Sequence, residues 1–253
     1  MKWARFTHNG TDYQGYLQNG CLLAVEGDVF AGNWQETGES LPLDDITLLA
    51  PCQPTKVVAI GLNYRDHAAE MKMELPQEPI LFLKPPSSVI GTEMPIIYPA
   101  WIGQLDYEAE LAIVIGKRTK NVVAADAHKY IFAYTCSNDV TARSLQAIDG
   151  QWSRAKAFDT FCPLGPWMET ELDTSNLNIV LELNGQLRQH SNTNQLVFDP
   201  SYLVAFASRV MTLEPGDVII TGTPGGIGPM NVNDRVVVRI EGIGELINWI
   251  KAD

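Results

Sequence analysis

The sequence contains a series of short apolar or β-branched runs closed by turn-forming residues, and this pattern constrains the fold most. The runs, bounded by Gly, Asn, Asp or Pro, are Val57–Ile60, Leu111–Ile115, Ile179–Leu183, Val218–Thr221 and Val236–Ile240. Runs of this length and composition are typical of β-strands. Few segments have helical periodicity; one is Pro200–Met211, which Asp199 can cap. We therefore predict an α+β fold that is mostly β, not alternating βαβ layers.

The first fifty residues favour a separate small unit. Asn9-Gly10 and Asn19-Gly20 are dipeptides typical of hairpin turns. The segment Pro51–Lys56 contains two prolines and indicates a linker. A chain of 253 residues is long enough for a main domain with a small appendage. The predicted organisation is a small N-terminal β domain in residues 1–50 and a larger main domain in residues 51–253.

Charge and hydropathy exclude several classes of partner. The 18 Lys and Arg residues face 30 Asp and Glu residues, so the net charge is −12, which argues against a nucleic-acid partner. No apolar run approaches the roughly 18 residues of a membrane span, and the N-terminus lacks a signal-peptide core. The four cysteines are scattered, as expected for a reducing compartment. We predict a soluble, cytoplasmic protein with no membrane partner.

Three acidic residues are candidates for a common site at the ends of two strands. Glu108 and Glu110 are two residues apart at the start of an apolar strand, so their side chains would share one face. Asp139 directly follows the predicted strand Tyr134–Asn138 and precedes a possible helix, Val140–Ile148. Converging carboxylates form an all-oxygen site suited to Mg²⁺ or Mn²⁺. Taken singly, the glutamates could be solvated at a strand end and Asp139 could be a helix cap.

A short helix carrying an acid–base pair is predicted to begin near Asn63 and Asp66. His67 and Glu70, three residues apart, would be neighbours on its surface, where a carboxylate can orient an imidazole and raise its basicity. A solvated surface pair is the alternative interpretation. A polar stretch around Pro76 follows, which suits a mobile lid.

Two cations and one amide are candidates for contact with an anionic substrate. On a helix that starts after Asp139, Arg143 and Gln146 would lie on one side, above the carboxylate. Arg143 could bind a carboxylate bidentately, or could simply be exposed. Lys156 lies in an apolar setting, where an unpaired ammonium is costly, so it needs a buried anionic partner. The same argument applies, less strongly, to Lys84 in the segment Phe82–Pro85.

The glycine-rich loop Thr221–Pro229 follows a predicted strand. It lacks both the Gly-Lys-Ser/Thr ending of a P-loop and the spacing of a dinucleotide fingerprint. Its backbone N–H groups and the Thr223 hydroxyl could approach a carboxylate closely. A plain cluster of turns is an equally good interpretation.

Together these segments resemble the fumarylacetoacetate hydrolase family. The matching strings are GLNYRDHAAEM, EPILFLKPPSSVIG, LDYEAELAIVIGK, SNDVTAR, AKAFDTFCPLGP, NGQLRQHSNTNQLVF and PGDVIITGTPGGIGP. The resemblance is strongest to the smaller members: acylpyruvate hydrolases, 2-hydroxyhepta-2,4-diene-1,7-dioate isomerase-like proteins with decarboxylase activity, and oxaloacetate tautomerases. It implies a mixed β-sandwich roll, a homodimer, and one Mg²⁺ or Mn²⁺ ion per chain.

The resemblance also implies a role for each candidate residue. Three acidic residues match the family's metal ligands: Glu108, Glu110 and Asp139. Three residues match catalytic positions, two of them on the lid helix: His67, Glu70 and Lys156. Three residues match substrate-binding positions: Arg143, Gln146 and Thr223.

The activity expected from this resemblance is metal-dependent hydrolysis of a C–C bond in an acylpyruvate-type (2,4-dioxo acid) substrate. The bond would break through a metal-stabilised pyruvate enolate. Isomerisation, decarboxylation or tautomerisation of 2-oxo or 2-hydroxy-dienoic diacids, including oxaloacetate, would use the same site and is the alternative. A non-catalytic metal- or carboxylate-binding module is a third interpretation. The intact His67–Glu70 pair argues against it, because binding alone does not need a base.

Overall fold

Strands dominate the structure, a computed structural model that describes residues 1–253. The strands, numbered in chain order, are β1 (Lys2–His8), β2 (Thr11–Gln18), β3 (Cys21–Asp28), β4 (Asn33–Pro42), β5 (Thr47–Leu48), β6 (Val57–Gly61), β7 (Ile80–Lys84), β8 (Val89–Ile90), β9 (Pro95–Tyr98), β10 (Leu105–Tyr107), β11 (Ala109–Ile115), β12 (Ile131–Asn138), β13 (Thr141–Ala142), β14 (Cys162–Glu169), β15 (Asn178–Leu183), β16 (Gln186–Asn192), β17 (Val218–Ile220), β18 (Gly228–Met230), β19 (Arg235–Ile240) and β20 (Gly244–Ala252). The predicted fold class, α+β and mostly β, is confirmed.

Helices are few and short. The α-helices are α1 (Arg65–Met71), α2 (Ala124–Ala127), α3 (Arg143–Asp149), α4 (Ser153–Lys156) and α5 (Pro200–Val210). Single 3₁₀ turns cover Leu43–Asp45, Pro86–Ser88, His128–Tyr130 and Thr193–Gln195. No helix has both the length and the apolar character of a membrane span.

Three sheets build the molecule. The largest has the strand order β4-β3-β2-β1-β14-β12-β11-β17-β6-β7, with β5 beside β1 and β8 beside β14. A second sheet has the order β16-β15-β19-β20-β9, and a small third one the order β13-β10-β18. Apolar side chains of β11 and β12, such as Leu111 and Cys136, pack with Leu181, Val238 and Leu246 of the second sheet in the largest core cluster. The two larger sheets thus share one core.

The N-terminal strands continue the largest sheet. Both Asn-Gly dipeptides form tight turns, with positive φ at Asn9 (50°) and Asn19 (51°), a conformation that asparagine and glycine tolerate best. Strand β1 then pairs with β14, with Trp3 opposite Met168. A boundary at residue 50 stays a prediction, since hydrogen bonds of one sheet join the two predicted units.

The predicted helix over Val140–Ile148 is wrong at its start. Residues Thr141–Ala142 form β13, which pairs with β10, and the helix α3 begins only at Arg143. Val140 and Ala142 are fully buried, so the core holds this segment extended. Asp139 is therefore not a helix cap.

Candidate active site

Strand pairing brings the three acidic residues together. Glu108 lies between β10 and β11, and Glu110 pairs with Ser137 of the antiparallel neighbour β12. Asp139 follows β12, and its backbone N–H donates to the Glu108 carbonyl at 2.8 Å. One carboxylate oxygen of each of Glu108, Glu110 and Asp139 lies within 4.8 Å of the others, and all three residues are buried. The convergence expected from the sequence is present. We call these three residues and the two lysines that contact them, Lys84 and Lys156, the cavity floor.

Two buried lysines neutralise part of this acidic cluster. Lys156 Nζ donates to Glu108 Oε2 at 2.7 Å and to Asp139 Oδ2 at 2.5 Å. Lys84 Nζ donates to Asp139 Oδ1 at 2.5 Å and is buried as deeply as Lys156. Glu108 and Asp139 are thus the buried anionic partners that were expected for Lys156. Lys84 also has such a partner, Asp139, although the sequence indicated this less strongly.

Arg143 joins the floor to α3. Its Nε donates to Asp106 Oδ2 at 2.8 Å, and its Nη2 donates to Glu108 Oε1 at 2.5 Å. Its Nη1 donates to Gln146 Oε1 at 2.5 Å. The structure thus places Arg143 and Gln146 side by side, as expected, but Arg143 contacts Glu108 and Asp106 and not Asp139, and the helix starts later than predicted.

Glu108 and Glu110 have opposite electrostatic settings. Burial alone would raise the pKa of Glu108, but Lys156 and Arg143 outweigh burial and lower it to about 2. Burial raises the pKa of Glu110 well above its usual range, and the charge of Asp139 adds to the rise. The only hydrogen bond to the Glu110 carboxylate comes from the Gly222 N–H at 2.6 Å. Glu110 therefore lacks the cation that Glu108 has.

Counted at full charge, four carboxylates face three cations, so ionisation of Glu110 leaves the site with one excess negative charge. The carboxylates are Asp106, Glu108, Glu110 and Asp139. The cations that contact them are Lys84, Lys156 and Arg143. A divalent cation would supply the charge that Glu110 lacks, and oxygen donors suit a hard ion. The residues present fit such an ion.

The helix α1, which we call the lid helix, carries the predicted acid–base pair. His67 Nδ1 lies 3.4 Å from Glu70 Oε2, and Glu70 also accepts the Gly226 N–H at 3.0 Å. The Asp66 carboxylate accepts a hydrogen bond from the Ser191 hydroxyl. The Glu70 side chain is 46% exposed, whereas that of His67 is 12% exposed and turned toward the cavity described below. The pair is thus at the cavity rim, not on a remote solvated face.

The glycine-rich loop connects the floor to the lid helix. Gly222 (φ 96°) donates to Glu110, and a Cβ there would lie 2.8 Å from the Asn63 Cβ. Gly226 (φ 92°) donates to Glu70, and a Cβ there would lie 2.4 Å from a carbonyl oxygen of β16. Only glycine fits both positions without strain. The loop N–H groups do approach carboxylates, as expected, and these carboxylates belong to the protein itself.

These elements surround a cavity of about 250 Å³. Seven of the nine candidate residues line it: His67, Glu108, Glu110, Arg143, Gln146, Lys156 and Thr223. The other two candidates do not line the cavity. Glu70 is hydrogen-bonded to the glycine-rich loop, and Asp139 is hydrogen-bonded to Lys84 and Lys156. The rest of the wall is apolar apart from Gly61 and comprises Ile60, Leu62, Met71, Met73, Ile80, Phe82, Trp152 and Ile227. The cavity therefore has a charged inner end and a largely uncharged wall.

Three further residues shape the site without having been candidates. Asp106 holds Arg143, Asn138 Oδ1 accepts the Glu108 N–H at 2.9 Å, and Gln189 Oε1 accepts the Ala109 N–H at 2.9 Å. Asn138 and Gln189 lie inside the strings SNDVTAR and NGQLRQHSNTNQLVF. Each is 30 or more residues from its partner in the chain, so no local pattern could have assigned the contact.

A mostly-β scaffold with an acidic triad, buried lysines and a histidine around one cavity defines a class of enzymes with a carboxylate-lined site. The family described as "Fumarylacetoacetate (FAA) hydrolase C-terminal" matches residues 56–251, and "Rv2993c-like, N-terminal" matches residues 1–51. The chain belongs to the fumarylacetoacetate hydrolase family, which confirms the resemblance.

Two proteins with similar sequences match most of this chain. An uncharacterized protein from Methanocaldococcus jannaschii is 51% identical over 217 residues, which are 86% of this chain and 89% of that protein. The mitochondrial oxaloacetate tautomerase Fahd2a of Rattus norvegicus is 42% identical over 222 residues, 83% of this chain and 71% of that protein.

Solved structures cover the whole chain. The 5-carboxymethyl-2-hydroxymuconate delta-isomerase from Mycobacterium smegmatis has a TM-score of 0.94 at 44% identity and covers 100% of both chains. The maleylpyruvate hydrolase from Sphingobium sp. SYK-6, in complex with manganese (II) ion and pyruvate, has a TM-score of 0.82 at 31% identity and covers 100% of this chain and 99% of that chain. Isomerase, tautomerase and hydrolase relatives therefore share this fold.

Proposed function

We propose that the protein is a divalent-metal-dependent hydrolase that cleaves a C–C bond of an acylpyruvate-type 2,4-dioxo acid and releases pyruvate. The observation that carries this proposal is the division of the cavity into a charged inner end and a largely uncharged wall. A 2,4-dioxo acid with an alkyl or aryl tail has the same division, since its carboxylate and keto oxygens lie at one end. A dicarboxylic substrate would place a second charge against the apolar wall, which is unfavourable.

Charge balance supports an anionic 2-oxo acid at the inner end. A divalent cation favours the ionised form of Glu110 and, counted at full charge, changes the site from one excess negative charge to one excess positive charge. One substrate carboxylate would then neutralise the site. Binding of the anion thus depends on prior binding of the cation.

Glu108, Glu110 and Asp139 would hold the ion, Mg²⁺ or Mn²⁺, one per chain. When bound, the ion supplies Lewis-acid polarisation of the keto acid's oxygens. Lys156, already between Glu108 and Asp139, would add positive charge near the same oxygens as negative charge develops there. Arg143, Gln146 and Thr223 would contact the substrate's oxygens from the other side of the inner end.

His67 would act as the general base. Glu70 orients the imidazole, which takes a proton from a water molecule, and the water oxygen bonds to the carbon of the distal ketone. The C–C bond on the pyruvate side of that carbon then breaks, and its electron pair leaves with the pyruvate portion. The imidazolium returns its proton to that portion, so the products are pyruvate and a carboxylic acid.

The second candidate function is isomerisation, decarboxylation or tautomerisation of a 2-oxo or 2-hydroxy-dienoic diacid, including oxaloacetate. Identity of 42% to an oxaloacetate tautomerase and 44% to an isomerase favours it. In this case His67 would move a proton between carbon and oxygen without activating water. A non-catalytic binding module is the third candidate, and it gives no role to the His67–Glu70 pair.

One experiment separates these functions. The protein with Mg²⁺ is incubated in D₂O with an acylpyruvate, oxaloacetate or a hydroxy-dienoate and followed by NMR. We expect pyruvate and a carboxylic acid from the acylpyruvate without CO₂. Each reaction is compared with its spontaneous rate without protein. Faster deuterium uptake between the carbonyls without cleavage would assign tautomerisation, faster CO₂ release would assign decarboxylation, and conversion of the dienoate would assign isomerisation. No change with any substrate would favour the binding module.

We also propose that the protein forms a homodimer. Large apolar side chains are exposed near the cavity mouth and on α3, including Met73 (54%) and Ile148 (74%). Exposed large apolar side chains are candidates for burial in an interface between two chains. Light scattering coupled to size-exclusion chromatography would give the mass, and a mass of one 28.0 kDa chain would disprove the proposal.

A further inference from the structure

Gln189 is a fully buried amide on β16 that joins two parts of the site. Its Oε1 accepts the N–H of Ala109, the residue between Glu108 and Glu110, at 2.9 Å. Its Nε2 donates to Thr223 Oγ1 at 2.9 Å and to the Pro224 carbonyl at 2.8 Å. One side chain thus connects the start of β11 to the glycine-rich loop.

The backbone fixes the orientation of this amide. The Ala109 N–H can only donate and the Pro224 carbonyl can only accept. Exchanging the oxygen and nitrogen of Gln189 would oppose donor to donor and acceptor to acceptor. The Nε2 group therefore always faces Thr223.

This orientation decides what the Thr223 hydroxyl can do. Its oxygen accepts a hydrogen bond from Gln189, and the hydroxyl makes no other hydrogen bond within the protein. A hydroxyl has a single proton to donate. Because Thr223 lines the same cavity as Glu110 and Arg143, that proton is available to a molecule bound there.

We infer that Gln189 is a positioning residue that keeps the Thr223 hydroxyl a hydrogen-bond donor toward the cavity, where it binds an anionic oxygen of the substrate. The inference rests on the proposed function, since it takes the substrate to be a 2-oxo acid. Gln189 would raise substrate affinity without touching the substrate.

The test reverses the hydrogen bond. When ionised, the Gln189→Glu side chain keeps an acceptor for the Ala109 N–H but offers Thr223 only an acceptor, so the hydroxyl proton turns away from the cavity. We expect pyruvate to bind the Mn²⁺-loaded variant about tenfold more weakly by calorimetry, the range for one hydrogen bond to a charged group. The affinity for Mn²⁺ alone should not fall. In kinetics with an acylpyruvate, the change should lie in KM more than in kcat.

A double-mutant cycle separates positioning from a structural role. In a Thr223→Val background, which has no hydroxyl to orient, Gln189→Glu should cause no further loss of pyruvate affinity. Additive losses, or pyruvate affinity unchanged in Gln189→Glu alone, would overturn the inference. If Gln189→Glu does not fold, as judged by thermal unfolding, Gln189→Met and its Thr223→Val double variant complete the same cycle.

Pyruvate binding needs no turnover, so the two proposals fail separately. A parent protein that binds pyruvate but cleaves no acylpyruvate would disprove the hydrolase and leave the inference on Gln189 standing. A parent protein that binds Mn²⁺ but not pyruvate would overturn the inference.

Discussion

The cavity floor and the lid helix differ in how the protein holds them. On the floor, Asp139 and Lys84 have side chains that are 1% and 0% exposed, and each carboxylate oxygen of Asp139 contacts a lysine. On the lid helix, the side chain of Glu70 is 46% exposed, and the helix has no side-chain N-cap. Few hydrogen bonds join the lid helix to the rest of the site; examples are those that Glu70 and Asp66 accept from Gly226 and Ser191.

This difference separates binding from turnover. A preorganised floor holds charges in place before any ligand arrives, because strands β11 and β12 fix it from below. A loosely attached helix can open to admit a substrate and close to bring a base over it. Substitutions on the floor should therefore affect the metal and stability, and substitutions on the lid helix should affect turnover.

The largest effect is expected from Glu108→Ala, which should abolish both metal binding and activity. The variant loses one of three acidic side chains and leaves Lys156 only Asp139 and Arg143 only Asp106 as carboxylate partners, so Mn²⁺ affinity should fall by more than about 100-fold, the upper end for loss of an outer-shell group. Calorimetric titration of Mn²⁺ measures it. Near-normal metal affinity together with near-normal activity would contradict the assignment of the floor as the metal site.

His67→Ala should have the opposite pattern of effects: turnover should fall while metal binding is retained. Mn²⁺ affinity should stay within about twofold of the parent, since His67 does not contact the floor carboxylates, while kcat falls by about 10²–10⁴, the usual contribution of a general base. His128→Ala, at an exposed histidine away from the cavity, is the matched control. An unchanged kcat for His67→Ala would move the base role to another group.

Lys84→Met tests whether the floor is rigid because its charges are paired. Removing one partner of a buried ion pair costs roughly 3–5 kcal/mol, and the free energy of unfolding in denaturant should fall by that amount. Lys129→Met removes the exposed Lys129–Asp126 pair, which has a similar N–O distance of 2.6 Å, and should leave the unfolding midpoint unchanged. Equal effects of the two variants would refute the distinction between buried and exposed pairs.

The smallest effect is expected from Glu70→Ala, which removes the acceptor of the Gly226 N–H. Amides of α1 should exchange with solvent roughly tenfold faster, the equivalent of one hydrogen bond to a charged group, and those of β11 should not change. Hydrogen-exchange mass spectrometry measures both, with Glu74→Ala, at an exposed acidic residue beyond the helix, as the control. Faster exchange in β11 would show that the lid helix and the floor open together.

The sequence predicts the strands and the candidate residues better than the contacts between them. The run Leu111–Ile115 and the cap at Asp199 are local signals, and the structure has a strand and a helix start there. The helix start predicted after Asp139 is wrong because Thr141 and Ala142 pair with β10, a strand more than thirty residues earlier in the chain.

The contacts of the supporting residues cannot be predicted from the sequence for the same reason. Gln189 is 80 residues from Ala109, and Lys84 is 55 residues from Asp139. Periodicity and motif spacing describe neighbours along the chain, whereas these contacts depend on how two sheets pack. Glu108 and Glu110 were recognisable because their spacing of two is itself the strand repeat.

The pairing of β1 with β14 has a consequence for any shortened form of the chain. A protein that begins after residue 51 would keep β14 and β12 but lose the neighbour of Met168 and Glu169. Unsatisfied N–H and C=O groups along an open sheet edge recruit strands from other molecules. The first fifty residues thus cover this edge of the largest sheet. Their removal should make the protein aggregate, even though the cavity lies elsewhere.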